Sequence, residues 1–373
     1  MIPFAFGVFF AFGIALVLVG SNQAELARDL GLDLAGSGLL GAVVALGIGV
    51  GVTASGPWVD RLPRRPILVA ASLVAAAALL GVERSMGVPR ALAHLWLLGV
   101  GVGVHETLVN AAVSERHGAR AARSLIFVHA AVSLGAVAAP PAIGWLASAW
   151  DWTASFRVAG LLQLGLAAAS FAVRFPEPLQ AHPSRRVPLR AVFRPGLVPL
   201  LLIGFAYVGV ETTLTLFAVP YATGPLALPE ARGLAAISSL WLGLLAGRLL
   251  LLAWVREIDA RPLVAAGLVG AAAIAAGIGA GSARIELWFG LIGAVMGLVF
   301  PLMIALTAAL VPEARGTATG LVAGAGAFGG FAVPWLHGAI GDAAGVAPAL
   351  WSLAPWCLAV ALAAWTVGRR LAR

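Results

Sequence analysis

Apolar stretches of about the length that crosses a bilayer, ~20 residues, recur along the whole of this chain. They run approximately over residues 3–21, 36–57, 66–83, 92–113, 124–147, 153–172, 196–218, 231–252, 262–281, 285–309, 317–337 and 347–367. Runs this long and this numerous exclude a water-soluble globule. The short alternating segments of a membrane β-barrel are absent. The balance of residue types agrees. Hydrophobic residues make up 61% and charged residues 11%, where a soluble domain is roughly a quarter charged. The pattern predicts an all-α, multi-pass integral membrane protein with twelve transmembrane helices.

Charge placement sets the expected orientation. The chain has no lysine, so every basic residue is arginine. One set of connections carries Arg61, Arg64 and Arg65, then Arg116, Arg120 and Arg123, then Arg174, Arg185, Arg186, Arg190 and Arg194. Arg256, Arg261, Arg315, Arg369, Arg370 and Arg373 fall on the same side. The opposite connections hold Arg28, Arg84, Arg90, Arg232 and Arg284. Basic residues collect on the cytoplasmic side of a membrane. Both termini are therefore expected in the cytoplasm, with a bacterial inner (plasma) membrane as the location. The net charge of +8 does not imply a nucleic-acid partner, because the arginines sit in short loops between apolar runs. The start, MIPFAFGVFF, lacks a basic leader and a clear cleavage site, so the first span is expected to be retained. Cys357 is the only cysteine, which excludes an internal disulfide and a cysteine-based metal cluster.

The Pro- and Arg-rich stretch 173–195 reads as a linker between halves. The expected organisation is a six-helix bundle over 1–172, a cytoplasmic linker over 173–195 and a second six-helix bundle over 196–373. The halves repeat one another. LGIGVG (46–51), Trp58-Val59 and Arg65-Pro66 return as LGLLAG (242–247), Trp254-Val255 and Arg261-Pro262. Gly135, Pro140 and Gly144 return as Gly329, Pro334 and Gly338. Two six-span repeats are the architecture of a secondary transporter, with its site near the midplane.

The stretch Leu97–Val113 carries His105, Glu106 and Asn110 within an apolar, Gly-rich span. A carboxylate at membrane depth costs several kcal/mol unless it is used or paired. Glu106 and Asn110 are four residues apart and share one face of a helix. In span seven, Tyr207, Glu211 and Thr215 form a second polar stripe. Glu106 and Glu211 are the candidates for proton coupling. Asn110, His105, His129, Tyr207, Trp241, Asn22 and Gln23 are the candidates for substrate binding. Asn110 and His129 are also compatible with helix-to-helix hydrogen bonding. Arg248 is near the cytoplasmic end of span eight, where it would snorkel or join a gate. No phosphate-binding loop, catalytic constellation or metal-ligand spacing is present, so no enzyme activity, cofactor or metal is expected.

The segment Gly56-Pro-Trp-Val-Asp60-Arg61-Leu-Pro63-Arg64-Arg65 resembles the Gly-x-x-x-Asp-Arg-x-Gly-Arg-Arg loop signature of the major facilitator superfamily. Pro63 stands where the family usually has Gly. The resemblance implies alternating access of two bundles, a monomer, and a gating role for Gly56, Asp60, Arg61, Arg64 and Arg65. Within that superfamily, Glu106-Thr107-Leu-Val-Asn110 is similar to the Glu-Thr-x-x-Asn of the fucose permease branch. Tyr207 to Glu211, Trp241 to Arg248, and His129 with Gly135 and Pro140 extend the likeness. The acid that this branch carries in span one is absent, and only Asn22 and Gln23 stand near that span's outer end. Ala111 replaces the proline that follows the span-four asparagine. The branch implies symport of a sugar-like small polar solute with protons. A drug–proton antiporter carrying a lipophilic compound, and a non-transporting membrane sensor or lipid-handling protein, are the alternatives.

Overall fold

A computed structural model of the chain describes residues 1–59, 61–117, 121–176, 196–254, 259–278, 281, 283–311 and 315–371. Among the described residues the regular structure is entirely helical. Among the described residues, eleven helical segments are long and apolar enough to cross a membrane, residues 285–310 counted as one. The remaining expected span, 66–83, forms α4, Arg64–Leu80, with 17 residues. That is about 25 Å at 1.5 Å per residue, slightly under the hydrocarbon thickness. The chain is a multi-pass integral membrane protein.

The residues divide into two compact units. The first comprises Met1–Leu32 and Val43–Ser184, the second Asp33–Ala42 and Arg185–Arg373. Helices α1 (Ile2–Ser21), α2 (Gln23–Leu30), α4, α5 (Val88–His117), α6 (Ala121–Ala149) and α7 (Thr153–Ala169) belong to the first unit. Helices α8 (Leu197–Thr223), α9 (Glu230–Trp254), α10 (Arg261–Ala273), α11 (Ile285–Met296), α12 (Val299–Leu310), α13 (Arg315–Ala344), α14 (Val346–Trp351) and α15 (Ala354–Leu371) belong to the second. Helix α3 (Leu34–Val59) begins in the second unit and continues in the first. The linker expected over 173–195 falls mostly outside the described residues.

Small residues decide how the helices pack. In lipid there is little hydrophobic gain from helix association, so close backbone approach carries it. In the first unit, α3 and α5 meet through Gly47, Gly51, Gly99 and Gly103. A Cβ at each would lie 2.4 Å from the Trp96 carbonyl oxygen, 2.3 Å from that of Val100, 2.3 Å from that of Val44 and 2.4 Å from that of Ile48. In the second unit, α9 and α11 meet through Gly243, Gly247 and Gly293 against the carbonyls of Gly290, Ala294 and Leu240, each 2.1 Å from such a Cβ. Gly297, just beyond α11, meets the Leu244 carbonyl in the same way at 2.3 Å. The same exchange recurs between α1 and α6, where Gly135 meets the Phe10 carbonyl, and between α8 and α13, where Gly329 meets that of Phe205. The repeat read from scattered residues is thus a repeat of backbone contacts. Larger apolar residues, among them Trp58, Trp145, Trp335 and Trp365, face outward, as lipid and its interface require.

The tenth expected span, 285–309, is not continuous. It breaks into α11 and α12 at Gly297 and Leu298. Pro301 stands in the first turn of α12 and has no N–H to return to Gly297, so the ladder is interrupted there. Outside the membrane, the short helix α2 ends at Gly31, whose φ of 64° suits glycine. Its Asp29 accepts from Trp152 Nε1 at 2.8 Å and from Arg84 and Arg28, each at 3.3 Å. The Trp152 N–H, then the two guanidinium groups, hold the Asp29 carboxyl below the usual range. Asp151 opens α7 by accepting from the Thr153 backbone N–H at 2.8 Å and from its hydroxyl.

Candidate functional site

Each unit carries an acid near the middle of a long apolar helix, Glu106 in α5 and Glu211 in α8. In the first unit the close contact of α3 with α5 fixes the rotation of α5. Asn110 then faces His129 of α6, with Nε2 to Oδ1 at 2.9 Å. An amide oxygen only accepts, so His129 donates through Nε2. The imidazole in turn lies against Phe9 of α1, with ring centroids 4.6 Å apart. Asn110 keeps its Nδ2 hydrogens for another acceptor. Glu106, one turn earlier on the same face, is partly accessible. Among the described residues, no hydrogen-bond or ionic partner meets its carboxylate.

His105 turns to a different neighbour. It is 1% exposed and its Nε2 lies 2.9 Å from the Ser72 hydroxyl of α4, inside the α4–α5 contact. Thr107 bonds back to the Val52 and Gly103 carbonyls, each at 3.3 Å. Asn22 sits where α1 meets α2. Its Nδ2 donates to the Leu18 carbonyl at 2.7 Å and its Oδ1 accepts from Ser155 at 3.2 Å. Gln23 is buried next in sequence, with Oε1 lacking a partner among the described residues.

In the second unit the acid is paired. Tyr207 and Glu211 are one turn apart on α8, and the Tyr207 hydroxyl donates to the Glu211 carboxylate. Arg248 of α9 reaches the same pair, acting electrostatically on Glu211 and hydrogen-bonding to Tyr207. Arg248, expected to snorkel or join a gate, is therefore placed with the polar stripe of α8. The Tyr207 ring stands 6.2 Å from Phe300, next to the break between α11 and α12. Trp241, two turns before Arg248 on α9, is 2% exposed, and its indole N–H has no acceptor among the described residues. Thr215 continues the stripe, but its hydroxyl returns to the Glu211 carbonyl at 2.9 Å.

The arginine-rich segment between α3 and α4 forms a third polar cluster, within the first unit. Asp60 lies outside the described residues. Arg61 is exposed and Gly56 borders open space. Arg64 is 2% exposed. It donates to Glu115 at 2.5 Å and to the Pro176 carbonyl at 3.1 Å. Arg65 donates to the Val173 carbonyl at 2.9 Å and lies over the Phe171 ring. Glu115 had not been singled out from sequence. Its signal is an acid at the end of a span, beside an arginine-rich loop. Ser72, Phe9 and Phe300 carried no signal of their own.

Comparison with known proteins agrees with this architecture. Residues 4–290 match the family model of the Major Facilitator Superfamily. The uncharacterised MFS-type transporter YfkL of Bacillus subtilis (strain 168) is 24% identical over 355 residues, covering 91% of this chain and 88% of that one. A solved structure of a bacterial homologue of the human lysosomal transporter Spinster, inward-facing and unoccupied, superposes with a TM-score of 0.80. It has 15% identity and covers 99% of this chain and 96% of that one. The Escherichia coli fucose:proton symporter FucP superposes with a TM-score of 0.66, at 16% identity and 98% coverage of both chains. At such identities the two structures testify to the fold alone. Two units repeating the same glycine contacts, an arginine-rich segment between α3 and α4, and a family match over most of the length together make this chain a transporter that belongs to the Major Facilitator Superfamily.

Proposed function

We propose that the protein is a proton-coupled symporter of a small polar solute of the sugar class, working as a monomer by alternating access of its two halves. The observation that carries this reading is Glu106, a carboxylate with no partner among the described residues, inside an apolar helix and one turn from a polar pair. An ionised acid held there is costly. It is relieved by taking up a proton, and that uptake is the coupling step. Asn110, its oxygen engaged by His129, offers amide hydrogens to a solute oxygen. Tyr207 and Trp241 supply aromatic surface and hydrogen-bonding groups of the kind that hold sugar rings. Glu211, a candidate for coupling by its position, is bound to Tyr207 and lies beside Arg248; so held, it shapes the solute site and leaves proton transfer to Glu106. Arg64 and Arg65 tie helix ends and the start of the linker together, and with Gly56, Asp60 and Arg61 form the cytoplasmic gate. Both termini face the cytoplasm of a bacterial inner membrane, on the strength of the arginine distribution.

The test uses protein reconstituted in lipid vesicles. A panel of monosaccharides and cationic dyes is added while the external pH is followed. A sugar that alkalinises the outside medium supports symport. A response confined to dyes replaces this reading with drug–proton exchange.

A further inference from the structure

The outer end of the first span is polar and buried at three consecutive residues. Ser21, Asn22 and Gln23 are 3%, 1% and 1% exposed. A buried polar group without a partner is costly, so each oxygen there needs an account. Asn22 has one. Its Nδ2 donates to the Leu18 carbonyl and its Oδ1 accepts from Ser155 of α7. Three other oxygens do not. Ser21 Oγ, Gln23 Oε1 and Glu25 Oε2 are buried atoms with no hydrogen-bond partner among the described residues.

All three fall within five consecutive residues, across a bend. Helix α1 closes at Ser21, Asn22 adopts φ −110° and ψ 14°, and α2 begins at Gln23. The C-terminal end of a helix carries partial negative charge, and such an end is a ready ligand for a small cation. The set is thus a hydroxyl, an amide oxygen and a carboxylate oxygen beside a negative helix end. Hard oxygen ligands suit a hard cation, and a single carboxylate suits a monovalent one. Among the described residues no cluster of three His, Cys, Asp or Glu offers a site for other metals. The nearby guanidinium groups of Arg28 and Arg84 both turn to Asp29.

The internal repeat shows that this oxygen set is an addition to the first half. Phe10 and Phe205 are equivalent, because their carbonyls meet Gly135 and Gly329 in the same way. The same offset sets Ser21, Gln23 and Glu25 against Leu216, Ala218 and Pro220, which have no side-chain oxygen. The set is also remote from the polar pair of α5 and α6. His129 of that pair packs on Phe9, and Ser21 lies further along α1 by about 18 Å at 1.5 Å per residue.

We propose that Ser21, Gln23 and Glu25 bind a monovalent cation of the sodium class at the outer end of α1. The ion fixes the α1–α2 bend beside α7. The inference rests neither on a particular solute nor on Glu106, so it survives if the sugar reading fails.

The test follows binding of radioactive sodium to the detergent-purified protein, with unlabelled NaCl or choline chloride as competitor. Saturable binding displaced by NaCl and not by choline chloride is expected for the wild type. Glu25→Gln and Gln23→Leu are each expected to weaken it about tenfold, as loss of one strong ligand implies. Gln23→Glu keeps an oxygen and adds charge, so it is expected to bind at least as tightly, which a misfolded protein would not do. NaCl is also expected to raise the wild-type melting temperature above that in choline chloride by about 2–4 °C, and not to do so in Glu25→Gln. Absence of saturable sodium binding overturns the site. So does binding that is undiminished in both Glu25→Gln and Gln23→Leu. Binding lost in Glu106→Gln but kept in Glu25→Gln assigns the ion to the fourth span and overturns it as well.

Discussion

The acid of the first unit and the acid of the second are chemically identical and differently situated. Glu211 has a phenol hydroxyl and a guanidinium beside it. Glu106 has neither. A buried acid with a fixed counter-charge is held in place by it and acts as part of the framework. A buried acid without one changes its charge by exchanging protons with water. Duplication supplied two similar bundles, and the distribution of partners gave them different electrostatic work.

The largest effect expected from disturbing this contrast follows Arg248→Ala. It leaves Glu211 beside Tyr207 without a positive charge, and breaking such a pair costs about 3 kcal/mol or more. The melting temperature should fall strongly, and Glu211→Gln in the same protein should restore much of it. If Arg248→Ala melts as the wild type does, the paired description of the second unit is wrong.

The next effect is in the packing that the halves share. Gly99→Ala and Gly293→Ala each drive a methyl group into a carbonyl oxygen, at about 1–3 kcal/mol for an overpacked contact. Similar losses of thermal stability are expected from both. A large loss from one and none from the other would break the equivalence of the α3–α5 and α9–α11 pairs.

A smaller change is expected at the first unit's polar pair. His129→Leu frees the Asn110 oxygen and lets its amide rotate. Loss of one hydrogen bond is worth about 1 kcal/mol, so solute affinity should weaken roughly fivefold while proton movement per solute is kept. Titration calorimetry checks the first and vesicle pH the second.

The smallest effect lies outside the membrane. Asp29 is held below its ordinary value, about 3.9, so its contribution to stability is complete at neutral pH. That contribution is lost as the pH falls from near 4 toward its lowered value. Asp29→Asn should therefore melt slightly below the wild type at pH 7, and the gap should close toward pH 3. A gap that widens on acidification reverses the sign and removes the account.

Much of the fold is legible because bilayer thickness makes span length a direct signal. The glycine repeat is legible for a related reason, since close approach in lipid requires small residues at fixed intervals. The polar stripes at Glu106 and Asn110, and at Tyr207 and Glu211, follow from helical periodicity alone. What the helices do to one another is not periodic. The bond from Arg64 to Glu115 and the reach of Arg248 to Tyr207 each join distant parts of the chain. No spacing rule connects them. The break at Gly297 had a local cause in Pro301, yet a proline inside an apolar run is also compatible with a continuous kinked helix.

The most direct test of the contrast sets Glu106→Gln beside Glu211→Gln in the same vesicles, following solute uptake and external pH together. Glu106→Gln is expected to abolish solute-driven proton movement while solute exchange across the membrane persists. Glu211→Gln is expected to alter solute affinity and leave proton movement coupled. Proton movement that survives in Glu106→Gln, or that disappears only in Glu211→Gln, would contradict the assignment of coupling to the unpaired acid.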